Sequence, residues 1–128
     1  MRWRTWRIRT QNLLVADETG FLKKGTHSVG VARQYSGTAG CIEHCQIGVF
    51  LGYVSDKGRL LSDRELYLPR DWADRQESRR AAKVPDTVCF ATKPELARQM
   101  IERAVQAGVA FRWITADEVY GNHRRLRV

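Results

Sequence analysis

The sequence predicts an α/β fold in which a mixed sheet carries an antiparallel hairpin and one crossover helix. Two adjacent apolar stretches, Cys45–Val54 and Arg59–Leu68, flank the turn residues Asp56-Lys57-Gly58, which is hairpin patterning. One amphipathic helix is written over Thr92–Ala107. Apolar stretches of strand character stand near the two ends, at Leu13–Thr19 and Phe111–Asp117. A helix between a sheet and a further strand favours setting that strand parallel to a neighbour.

Leu13–Thr19 opens with an apolar run and ends on acids before Gly20, as a buried first strand with Asp17 near its end. A loop with Lys23 and Lys24 before Gly25 follows. His27–Tyr35 alternates, with Val29, Val31, Arg33 and Tyr35 on one side, and predicts a short strand. Ser36–Gly40 is a glycine-rich loop. In Cys45–Val54, Ile47, Val49, Leu51 and Tyr53 share one face and Phe50 and Val54 the other.

Pro69 ends the second hairpin strand, and Arg70–Lys83 is charged enough to be a loop or a short surface helix. Val88–Ala91 is short and apolar, a possible brief strand. For the helix, Thr92 is placed to cap, Pro94 suits the first turn and Glu95 completes a capping box. Leu96, Met100, Ala104 and Val105 are its expected apolar stripe, and Gly108 its terminator.

At 128 residues the chain is one domain of ordinary size at most, with a hydrophobic fraction of 43%, enough for a core. The 22 Lys and Arg against 14 Asp and Glu give +8 at neutral pH, which favours a polyanionic partner. Charge by itself does not separate DNA from RNA or from an anionic surface. Three cysteines, Cys41, Cys45 and Cys89, make no disulfide framework and suit a reducing cytoplasm. No apolar run reaches the length of a membrane span, and the basic start at Met1–Thr10 lacks the apolar core of a secretory signal. No membrane partner is expected.

Ala16-Asp17-Glu18 and Ala116-Asp117-Glu118 are alike, each an apolar strand running into two acids with a glycine soon after. Alternation lets only one acid of each pair face a shared site. On adjacent parallel strands about 4.8 Å apart, Asp17 and Asp117 would meet at a pair of divalent ions, which in two-metal sites stand about 3.5–4 Å apart. Carboxylates suit Mg²⁺ or Mn²⁺. Acids at strand ends also serve as solvated turns or caps, and spacing alone leaves both readings open.

The blocks DETGFLKKGTHSVGVARQYSGTAG (17–40), CQIGVFLGYVSDKGRLLSDRELYLPRDW (45–72), VPDTVCFATKPELARQMIERAVQAGV (84–109) and ADEVYG (116–121) resemble bacterial insertion-sequence transposases of the DDE superfamily endonuclease type. The resemblance runs from about Leu13 to Arg125. It implies a ribonuclease-H-like fold whose Asp, Asp and Glu bind two Mg²⁺ ions and cut and join DNA at transposon ends. By position, Asp17 matches the first acid and Asp117 the second. The third, expected well downstream on a later helix, has no match, since Val119–Val128 contains no Asp or Glu.

The resemblance therefore implies an incomplete catalytic domain over residues 13–128, preceded by a basic tail at 1–12 unlike the family. The chain is expected to bind Mg²⁺ or Mn²⁺ weakly and to be inactive alone. A second reading is a non-catalytic remnant that occupies DNA or forms a homo-oligomer with full-length transposase. A third is a poorly folded chain without function, whose sheet lacks covering helices.

Lys23, Lys24 and Arg33 flank the expected site and are candidates for phosphate contact, against a plain reading as a solvated basic loop. Gly20-x₄-Gly25-Thr26 has no lysine after its second glycine and is not a phosphate loop. Cys41, His44 and Cys45 lack a second ligand pair at finger spacing. Trp3 and Trp6, among Arg2, Arg4, Arg7 and Arg9, suit base stacking, as they suit a disordered tail. No Gly-x-Ser-x-Gly elbow supports a serine hydrolase.

Overall fold

The computed structural model describes residues 12–117 and Tyr120; the basic tail over 1–11, Glu118 and the His123-Arg124-Arg125 end lie outside the described residues. Among the described residues the elements follow in the order β1 (Leu13–Leu22), β2 (Ala32–Ser36), β3 (Cys41–Ser55), β4 (Gly58–Leu66), α1 (Arg70–Asp74), α2 (Gln76–Ala81), α3 (Lys93–Gln106) and β5 (Trp113–Ala116). The strands make one mixed sheet, consistent with a ribonuclease-H-like fold. No helix among the described residues is long and apolar enough to cross a membrane.

The long strand β3 organises the sheet. Along one edge it pairs antiparallel with β2 at Cys41–Cys45 and with β4 at Gly48–Ser55. Along the other it pairs antiparallel with β1, Ala16 opposite Leu51 and Glu18 opposite Val49. On its far side β1 pairs with β5, and this pairing is parallel. The crossover through α3 makes the parallel pairing possible, as the element order predicts.

Helix α3 covers one face. Leu14 and Ala16 of β1, Val49 and Leu51 of β3, and Leu96, Ala97, Met100, Ile101 and Ala104 of α3 form the main core. Val105, expected in the apolar stripe, is 58% exposed. Steps of 100° place 97, 101 and 104 toward the sheet and carry 105 past its rim. The capping box is present: Thr92 Oγ1 accepts from Glu95 N–H at 3.3 Å, and Thr92 N–H donates to the Glu95 carboxylate at 2.8 Å. At the other end Val109 N–H donates to the Ala104 carbonyl and Gly108 N–H to that of Val105, a Schellman closure. Arg103 reaches from α3 to Asp63 (2.9 Å) and Glu65 (2.7 Å) of β4. Burial pushes the Asp63 carboxyl up, but hydrogen bonds from Arg103 and the Arg64 N–H hold it below its usual value.

Three further expectations change. The strand expected over His27–Tyr35 begins only at Ala32, because Val31 N–H closes a turn onto the Ser28 carbonyl and Gly30 takes φ +76°. A Cβ at Gly30 would also stand 2.8 Å from the Tyr67 carbonyl oxygen. Val88–Ala91 is not a strand: the Arg79 guanidinium takes the Pro85 and Val88 carbonyls, acceptors that a sheet neighbour would use. Finally, β1 continues through Gly20 to Leu22, so Asp17 sits mid-strand. The charged stretch after Pro69 resolves into the short helices α1 and α2.

Candidate carboxylate site

Alternation along β1 sends Leu14, Ala16 and Glu18 under α3 and Leu13, Val15 and Asp17 to the opposite, open face. In the parallel ladder Ala16 is the partner of Ala116, and in each strand the next residue is an aspartate. Asp17 and Asp117 thus each directly follow the last pair of the β1–β5 ladder, and both are exposed. Asp17 is mid-strand in β1, whereas the chain leaves β5 at Asp117, whose carbonyl accepts from Tyr120 N–H at 2.9 Å. The Glu18 N–H donates to Asp17 Oδ1 at 2.8 Å and orients that carboxylate.

Glycine at position 20 has a steric cause. A Cβ there would run into the Ser36 hydroxyl, and Ser36 is buried. The glycine-rich turn at 37–40 folds back here, Thr38 Oγ1 accepting from Gly20 N–H at 3.2 Å. The motif after Asp17 is therefore shaped to admit a neighbouring turn.

Lys23, Lys24 and Arg33 are all exposed and stand elsewhere. Lys23 N–H donates to the His44 carbonyl, and Arg33 is opposite His44 in the β2–β3 ladder, so these two approach β3 from opposite edges. Lys23, just past the end of β1, lies six residue steps from Asp17 (23 − 17), about 20 Å at a rise of about 3.3 Å per residue. Cys41, His44 and Cys45 lie along β3, His44 on the face opposite the two cysteines. A cavity of about 540 Å³, lined in part by His27, His44, Asp71 and Trp72, contains neither aspartate.

Sequence reasoning passed over three side chains near the acids. Glu18 is ion-paired on the covered face with Lys93, Nζ to Oε2 2.7 Å, and that ammonium also lies 5.3 Å from the Tyr67 ring centroid. The contact has the distance of an ion pair without hydrogen-bond alignment. Tyr120 is fully buried in the core under α3. Burial pushes its phenol up, and the carboxylates of Glu18, Asp17 and Asp117 push it further. Its only sequence signal is its place three residues after Asp117 within ADEVYG.

The family model described as DDE superfamily endonuclease matches residues 3–128. The chain belongs to this family. A DDE superfamily endonuclease of this kind also has a curated relative: the chain is 32% identical over 114 residues to a protein of Microchaete diplosiphon described as a probable transposase for insertion sequence element IS701. The match takes in 85% of this chain and 26% of that protein, so the chain spans about a quarter of the relative's length. No solved structure matches. DDE superfamily endonucleases generally use divalent metals. Two exposed carboxylates fit a hard cation in ligand chemistry. Among the described residues no group of three or more His, Cys, Asp or Glu comes together as a complete ligand set.

Proposed function

We propose that this chain contributes the first two acids, Asp17 and Asp117, to the catalytic site of an insertion-sequence transposase that cuts and joins DNA at transposon ends. The parallel register of Ala16 with Ala116, each followed directly by an aspartate, is the observation that supports this reading. When bound, two Mg²⁺ or Mn²⁺ ions would activate the attacking oxygen, steady the leaving oxygen and offset charge on the phosphate.

The chain's own part is to hold ligands in place. Asp17 sits within an interior strand of the sheet, paired on both sides, with its carboxylate oriented by the Glu18 N–H. Asp117 directly follows β5, and its carbonyl accepts from Tyr120 N–H. The +8 charge suits a DNA partner, with Lys23 and Lys24 just past the end of β1 and Arg33 on β2 as phosphate contacts.

Titration of the 128-residue chain with MnCl₂ in a calorimeter tests the acid pair. Measurable uptake, lost in both Asp17→Asn and Asp117→Asn, is the expected result. Uptake that survives both substitutions refutes the assignment. Binding to labelled duplex DNA at rising salt tests the partner: affinity should fall with salt, and the slope should shrink by about one per removed phosphate contact in Lys23→Ala or Arg33→Ala.

A further inference from the structure

Behind Asp17, on the face covered by α3, two buried oxygens lack a hydrogen-bond partner among the described residues: Glu18 Oε2 and the Tyr120 hydroxyl. One is an acceptor and the other a donor. They belong to one neighbourhood, since Tyr120 packs in the cluster of Leu14, Ala16 and Val49, and Val49 is the ladder partner of Glu18. Buried polar atoms in folded proteins are nearly always paired, so two complementary ones in a single core point to each other.

We propose that Lys93 and Tyr120 are positioning residues that clamp the Glu18 carboxylate from two sides and thereby fix the Asp17 carboxylate for cation binding. This rests on the reading of Asp17 as a cation ligand. Glu18 is the hinge of the argument. Its side chain is held on the covered face by the Lys93 ammonium at 2.7 Å, while its peptide N–H donates at 2.8 Å to Asp17 Oδ1 on the open face. Restraining the side chain therefore restrains the donor that aims the ligand. Lys93 is itself placed by the first turn of α3, next to the Thr92–Glu95 cap. The Tyr120 hydroxyl completes the arrangement by donating to Glu18 Oε2, which satisfies both orphaned atoms. Partners behind metal-ligating side chains commonly alter metal affinity by about 10–100-fold.

The test compares Mn²⁺ affinity, by calorimetry and by the electron paramagnetic resonance signal of the free ion, with the melting temperature of the metal-free chain. Tyr120→Phe keeps the packed ring and removes only the hydroxyl that the clamp assigns to Glu18 Oε2, so its metal-free melting temperature should fall by no more than about 8 °C. Its Mn²⁺ affinity should fall about tenfold. Lys93→Met should weaken Mn²⁺ binding in the same direction, and Lys93→Arg should restore most of it. Wild-type Mn²⁺ affinity in both Tyr120→Phe and Lys93→Met, while Asp17→Asn abolishes binding, overturns the clamp and leaves the acid pair standing. Unchanged binding in Asp17→Asn overturns the acid pair and the clamp together. Should Lys93→Met fail to fold, Tyr120→Phe decides the matter alone.

Discussion

The two faces of the sheet are built from the same strands and are finished differently. Under α3, Leu14, Val49, Leu51 and Met100 are fully buried. On the opposite face Phe21, Leu61 and Trp113 remain 44%, 60% and 54% exposed, and Asp17 stands among them. Alternation writes apolar residues onto both sides of β1 and β3, but only the side facing a helix draws burial energy from them. The covered face and the open face that carries the proposed ligand Asp17 are thus separated by the thickness of one strand, with Glu18 and Asp17 as consecutive residues on either side.

The sharpest way to break this contrast is to hollow out the covered face. Met100→Ala should cost about 2–5 kcal/mol, the range for large-to-small changes at fully buried sites, measured by urea unfolding. A cost below about 1 kcal/mol would mean that α3 is not the main source of stability.

A smaller effect is expected where α3 is tied to β4. Arg103→Met should cost roughly 0.2–1 kcal/mol near neutral pH, because the guanidinium is well exposed although it reaches two carboxylates. The pH dependence has a definite sign. Asp63 is held below its unfolded value by Arg103 and the Arg64 N–H, so its contribution is present above about pH 4 and is lost as pH falls through the folded value. The gap between wild type and Arg103→Met should therefore narrow on acidification below about pH 4. A gap that widens there would contradict the assignment.

The smallest effect belongs to the open face. Leu61→Thr should change stability by no more than about 0.5 kcal/mol, since the side chain is mostly in water already. A loss comparable to that of Met100→Ala would show that this face is covered in solution.

Much of the scaffold was legible because its signals are local. The β3–β4 hairpin follows from two apolar runs around Asp56-Lys57-Gly58, and the ends of α3 follow from Thr92, Glu95 and Gly108. The reading went wrong where a distant group intervened. The Tyr67 carbonyl crowds Gly30, Arg79 occupies the acceptors near Val88, and the helical step of α3 carries Val105 past the rim of the sheet into water. Of the candidate site, the two aspartates were visible as twin strand–acid words. Glu18, Lys93 and Tyr120 were not, because their grouping joins β1, the start of α3 and the turn after β5.

The amino-acid order by itself determined the β3–β4 hairpin, the long helix, and the two apolar stretches that each reach an aspartate. Periodicity, capping and turn chemistry act over a few residues, and they suffice for that. Only the tertiary structure decided that Ala16 meets Ala116, that α3 lies on the Glu18 side, and that Tyr120 is buried beneath it. Strand register and choice of face depend on burial summed over the whole sheet, a quantity that no local stretch of sequence contains.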